Sequence, residues 1–168
     1  KGIATKESTD AIGAQVAYTG DNYGLALAVS SIENHDTDTP DTNDIDDDRG
    51  VTTSTALSAY FTPDLDNFPS VSVGIESTHD DSAAANEDTT SNYFVGLQWD
   101  EIGEGTFGLA AGTHTPKIEN GDQLMMYEAY YSYPINDGMT VTPLIYTKDM
   151  ATGTDDQTGI MVKTSFSF

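Results

Sequence analysis

The sequence predicts an all-β fold, specifically an antiparallel transmembrane β-barrel of outer-membrane type with about nine strands. Three observations lead there. Short runs of alternating apolar and polar residues recur along the 168 residues, with almost no helical periodicity. The connections between runs alternate short turns with longer, mostly acidic loops. The last run, Gly159 to Phe168, ends the printed sequence on an aromatic residue.

The first run, Ala11 to Tyr18, sets Ile12, Ala14, Val16 and Tyr18 on one face and Gly13, Gln15 and Ala17 on the other. Gly20-Asp21-Asn22 is a tight hairpin turn. The second run then places Tyr23, Leu25, Leu27 and Val29 on one face, so Tyr18 and Tyr23 flank the turn at one level. Glu33 to Gly50 is a long polar loop that cannot bury apolar surface. A third run, Thr53 to Phe61, aligns Leu57, Ala59 and Phe61, and two prolines mark Thr62 to Pro69 as a turn. The fourth sets Val71, Val73 and Ile75 against Ser72, Gly74 and Glu76, and a second acidic loop spans Ser77 to Thr90.

The fifth run alternates most cleanly, Tyr93, Val95, Leu97 and Trp99 against Asn92, Phe94, Gly96 and Gln98. A turn at Gly103-Glu104-Gly105 leads to Phe107, Leu109 and Ala111, and a polar loop surrounds Asn120-Gly121-Asp122. The seventh run sets Met125, Tyr127, Ala129, Tyr131 and Tyr133 against Met126, Glu128, Tyr130 and Ser132. Asn136-Asp137-Gly138 turns the chain into Met139, Val141, Pro143 and Ile145, and Pro143 predicts a bulge or local irregularity. After a loop from Lys148 to Thr158, the final strand puts Ile160, Val162, Thr164, Phe166 and Phe168 on one face and Met161, Lys163, Ser165 and Ser167 on the other.

Each run approaches the roughly 9–11 residues that a tilted strand needs to cross a bilayer. Tyr18, Tyr23, Phe61, Trp99, Phe107, Tyr133 and Phe168 fall beside the short turns and form one interfacial girdle, while Tyr93 and Tyr127 sit nearer the opposite ends. The apolar faces carry no charge in any run, and Glu76, Glu128 and Lys163 all lie on the other face. The inward candidates are Gln15, Glu76, Asn92, Gln98, Glu128 and Lys163, and rings of carboxylates among them would favour cations. With Phe168 on the short-turn side, an odd strand count puts the start of the chain on the opposite side. A closed single-chain bacterial barrel has an even count, so the chain is expected to be the C-terminal part of a larger barrel.

Composition narrows the function. With 28 acidic against 6 basic residues and a formal net charge of -22, the chain is unsuited to nucleic acid or an anionic membrane surface. No cysteine is present, which excludes disulfides and thiolate metal sites. The opening residues KGIATKESTD contain no apolar h-region, so an exported protein would carry its leader upstream of them. No nucleophile elbow, zinc-protease motif or phosphate-binding loop occurs, and no enzyme is expected. Asp44, Asp46, Asp47 and Asp48 could hold calcium weakly, but Gly50 comes one place late for an EF-hand and no Glu closes the loop; a solvated loop is the plainer reading. His35, His79 and His114 share the longer-loop side without metal-ligand spacing and read as surface residues. The competing architecture is a secreted β-sandwich or adhesin-like module with calcium in its acidic loops.

The segment MMYEAYYSYPINDGMTVTPLIYTKD, an acidic loop and then GIMVKTSFSF resembles the C-terminal end of cyanobacterial outer-membrane porins, relatives of the carbohydrate-selective porins. Asn136, Asp137, Gly138, Met139, Val141, Pro143, Phe166 and Phe168 carry the likeness. The hairpin AIGAQVAYTGDNYGLALAVS and the segment YFVGLQWDEIGEGTFGLAAGTHTP are similar to the same proteins. The resemblance implies an outer-membrane homotrimer of water-filled channels, each of roughly 16 strands, passing small solutes and ions without a cofactor. It also implies that Ile160, Val162, Phe166 and Phe168 form a signal for the barrel assembly machinery, and that a peptidoglycan-binding domain and the first half of a barrel precede these residues.

Overall fold

In a computed structural model the described residues are 10–35, 49–83, 87–114, 117–118, 121, 123–151 and 153–167. They form one antiparallel sheet. The strands are β1 (Ala11–Thr19), β2 (Tyr23–His35), β3 (Arg49–Phe61), β4 (Ser70–Asp80), β5 (Thr89–Ile102), β6 (Gly105–Thr113), β7 (Lys117–Ile118), β8 (Met125–Asn136), β9 (Met139–Lys148) and β10 (Gln157–Phe166). Neighbours follow chain order from β1 to β10, except that two-residue β7 leaves the path and pairs with β5 at Thr90 and Ser91, beyond the reach of β6. The nine long strands coincide with the nine alternating runs. Among the described residues β1 and β10 remain unpaired on their outer sides, and no second sheet covers either face, so the two-layer sandwich finds no partner layer.

The short turns close tightly. Gly20 N–H donates to the Tyr23 carbonyl at 2.8 Å, and Thr62 N–H reaches back to the Asn22 carbonyl at 2.7 Å. In the connection after β3, Asn67 takes a left-handed φ of 62°, which asparagine tolerates. Between β5 and β6 the register shifts between Trp99 and Ile102, with Glu101 and Gly103 both left-handed.

Two boundaries correct the sequence reading. The acidic loops are shorter than expected: β2 continues to His35, β3 begins at Arg49, β4 continues to Asp80 and β5 begins at Thr89. Ladder hydrogen bonds propagate up a hairpin whether or not the side chains are apolar, so composition understates strand length. The loop after β6 holds β7. Pro143 makes no bulge, since it faces Val162 in unbroken register and the β8–β9 offset is the same on either side of it, but pairing with β8 is interrupted opposite Pro143 and Thr142, the local irregularity expected there. A register shift follows between Pro134 and Asn136.

Register decides which residues share a height. The rung through Tyr18 runs by Leu25, Ala59, Val73, Val95, Ala111, Tyr127 and Thr147 to Thr158. Tyr18 lies beside its short turn, but on β10 the residue opposite the start of β9 is Phe166, eight residues beyond Thr158 (158 to 166). The line of short turns therefore climbs by roughly 26 Å along the strands over roughly 38 Å across eight inter-strand steps, a slope of about 35°.

The same rungs divide the sheet into two faces. One carries Ile12, Leu27, Ile75, Val95, Leu109, Ile145 and Ile160; the other carries Gln15, Glu76, Gln98, Glu128 and Lys163. Among the described residues no apolar side chain is buried, and even Ile75, in the middle of the sheet, is 59% exposed.

Candidate functional site

The polar face is the part of the molecule with chemistry to offer. All six inward candidates lie on it. Gln15, Glu76 and Asn92 occupy a single rung, joined through Ala28 and Ala56. Gln98 shares a rung with Gly108 and Tyr130, and Lys163 faces Thr142. Glu128 faces Ala110, and its rung meets β4 at Ser72, four residues from Glu76 (72 to 76). Among the described residues Glu76 and Glu128 lie on separate rungs of the sheet.

Between them runs a feature the sequence reading missed. Four aromatic rings lie flat over glycines of the adjacent strand: Tyr60 over Gly24, Phe94 over Gly74, Tyr130 over Gly108 and Tyr146 over Gly159. A Cβ built on any of these glycines would fall within the ring of its partner. Each ring is held against backbone instead of standing up from the sheet, so the middle of this face stays low. The available signal was an in-strand Gly of polar-face parity, recurring on β2, β4, β6 and β10, each needing an aromatic opposite.

Hydrogen bonds tie the face laterally. Ser54 and Thr78 share a hydroxyl contact of 2.8 Å, Thr113 donates to Asn92 Oδ1 at 3.2 Å, and Thr142 donates to Ser132 at 3.1 Å. The longest chain crosses three strands. Tyr130 donates to Gln98 Oε1 at 3.0 Å, Gln98 Nε2 donates to Asp100 Oδ1 at 3.1 Å, and Thr106 donates to the same oxygen at 3.2 Å. Asp100 was another residue that alternation did not single out, because the turn-like register shift begins beside it.

The described aromatics assigned to the short-turn side by the sequence lie on the apolar face beside those turns. Tyr18 and Tyr23 rings lie 5.6 Å apart, Trp99 and Phe107 5.8 Å, and Phe61 pairs directly with Tyr23. Tyr131 stacks beside Tyr133 at 6.4 Å, and their hydroxyls reach the Ile102 carbonyl at 2.7 Å and Glu104 Oε2 at 2.8 Å, both at the short turn. Tyr93 and Tyr127 sit toward the other end, and Tyr93 donates to the Met125 sulfur at 3.2 Å. Ile160, Val162 and Phe166 project from edge strand β10, with Ile160 79% exposed; Phe168 lies outside the described residues.

Asp44, Asp46, Asp47 and Asp48 also lie outside the described residues. The histidines are held separately: His79 contacts Asp81 at 2.9 Å and Thr89 at 3.2 Å, whereas His114 bonds the Asp149 carbonyl at 2.9 Å. Among the described residues no group of three possible metal ligands converges. Among the described residues no helix is long and apolar enough to cross a membrane, which says nothing about crossing by strands. No family model matches the chain, and no curated protein or solved structure was found to resemble it.

Proposed function

We propose that these strands form part of the wall of an outer-membrane porin, a passive water-filled channel for small solutes and ions. The observation that carries this reading is the apolar face: continuous across the sheet, free of charge from the girdle upward through the strand centres, and uncovered by any protein layer among the described residues. Such a face is stable only against another apolar medium, and lipid fits it. Glu33 has the same parity but lies ten residues above Tyr23 (23 to 33), past the roughly 25 Å apolar band of such barrels when strands tilt. The slope of about 35° in the line of turns falls at the lower edge of the tilt typical of these barrels.

Closure needs further strands. β1 and β10 both run from the long-loop side to the short-turn side, so they cannot pair antiparallel with each other. An odd number of additional strands restores alternation, in keeping with a barrel of roughly 16. The lumen would be lined by the polar face, where Glu76, Asp80, Asp100 and Glu128 stand against Lys148 and Lys163. That balance, with the acidic loops above, favours cations over anions. The homotrimer and the recognition of β10 by the assembly machinery follow from the porin resemblance and belong to the same proposal.

The full-length protein in planar bilayers should open stepwise with ohmic conductance, and should migrate faster in SDS before boiling than after. Protein that stays soluble without detergent and adds no conductance would overturn the reading.

A further inference from the structure

We infer that Asp100 is the fixed charge that sets ion preference at the short-turn mouth of this channel, and that Gln98 and Tyr130 position it. The inference rests on the channel reading and adds to it a specific residue and its supports.

Asp100 follows Trp99, the last residue of β5 in register before the shift, and its contacts with Gln98 and Thr106 set it on the polar face. Its Oδ1 accepts from both Gln98 Nε2 and Thr106 Oγ1, which leaves Oδ2 for solvent and passing ions. Gln98 cannot turn its amide over, because Tyr130 donates to its Oε1. Tyr130 belongs to β8 and reaches Gln98 two strands away only because Gly108 lies between them on the same rung. The ring lies across that glycine, where any side chain would lift it away. The carboxylate therefore has one orientation, built by three strands.

It also faces open space. A polar hollow of about 770 Å³ is lined by Asp100, Glu101, Glu104, Thr106, Ser132 and Thr140. Lys163 lies on the same face and connects to Asp100 by way of Thr106, Ser132 and Thr142, but four inter-strand steps separate them, roughly 19 Å. At the ~10 Å screening length of 0.1 M salt, that lysine cannot neutralise it. Glu76 and Glu128 are carboxylates on the same face, yet among the described residues neither accepts a side-chain hydrogen bond, so neither is braced as Asp100 is. A braced charge acts on every passing ion from one place.

The test is the reversal potential of the full-length protein in planar bilayers under a KCl gradient centred on 0.1 M. Asp100→Asn, which keeps the shape and the hydrogen-bond acceptor, should lower the ratio of potassium to chloride permeability by about two-fold, and the difference should vanish near 1 M salt, where screening shortens to ~3 Å. Tyr130→Phe should give a smaller shift in the same direction with unchanged heat-modifiable migration. Glu128→Gln should shift the ratio less than Asp100→Asn does. An Asp100→Asn channel with the wild-type ratio would overturn the assignment and leave the channel reading standing. A Glu128→Gln shift as large as that of Asp100→Asn, or no shift in Tyr130→Phe, would overturn the role of the clamp. A wild-type protein without conductance would overturn the channel reading itself.

Discussion

Ile75 and Glu76 are neighbours in sequence and belong to opposite worlds. Ile75 faces a surface of Leu57, Val73 and Tyr93 with no charge among them, whereas Glu76 faces Ala56 and Asn92 on the side that also holds Asp80, Asp100 and Glu128. In a water-soluble domain one of these faces would be packed under a second layer. Here both are open, and they differ in how they meet their surroundings. The apolar face is bulky and branched, suited to lipid chains. The polar face is kept low by Ala28, Ala56 and the ring-covered glycines, so that polar groups stand on a smooth wall. Neither face is a core, and under the porin proposal each would meet a different solvent.

The largest effect that could break this comparison is a charge on the apolar face. Ile75→Lys should lose roughly 2–4 kcal/mol of folding stability in bilayers, near the cost of a lysine at mid-membrane. Ala56→Lys, one strand away and on the polar face, should lose far less. Urea unfolding in lipid vesicles compares the two, and equal losses would mean that the faces are not what their exposure suggests.

A smaller effect tests the low wall. Gly74→Val must displace the Phe94 ring and should cost about 1–3 kcal/mol, an ordinary overpacking penalty. It should also narrow the lumen and reduce unit conductance. Gly13→Ala is the control, because a Cβ there meets only the Val29 carbonyl at 3.6 Å and Ser30 Cβ at 3.8 Å, normal contacts. A Gly74→Val channel with full conductance would show that the ring does not bear on the lumen.

The smallest effect concerns a free carboxylate. Glu76 is half-buried but has no side-chain hydrogen bond among the described residues, so Glu76→Gln should change stability by less than about 0.5 kcal/mol. Its ion preference should move toward anions by a modest, salt-sensitive amount, read from the same reversal-potential measurement. A marked loss of stability would mean that Glu76 packs against something besides water.

Much of this architecture was legible in the residues. Tyr93, Val95, Leu97 and Trp99 alternate because a strand turns each successive side chain to the other face, and that rule needs no knowledge of neighbours. The turns at Gly20-Asp21-Asn22 and Asn136-Asp137-Gly138 were readable for the same reason, since glycine and asparagine supply backbone shapes that other residues avoid. The extension of β2 to His35 was not readable, because its polar ends are held by ladder bonds to a strand that begins fourteen residues later (35 to 49).

What the sequence determined by itself is therefore the strands, the face each residue takes and the alternation of turns and loops, all set by local periodicity and turn chemistry. What only the tertiary structure decided is height. Which residues share a rung, how far the line of turns climbs from Tyr18 to Phe166, and that Tyr130 crosses Gly108 to reach Gln98 all depend on register between strands distant in sequence. A two-residue slip leaves every side chain on its own face, so periodicity cannot choose between registers. The choice falls to the pairing of rings with glycines and of turns with their neighbours.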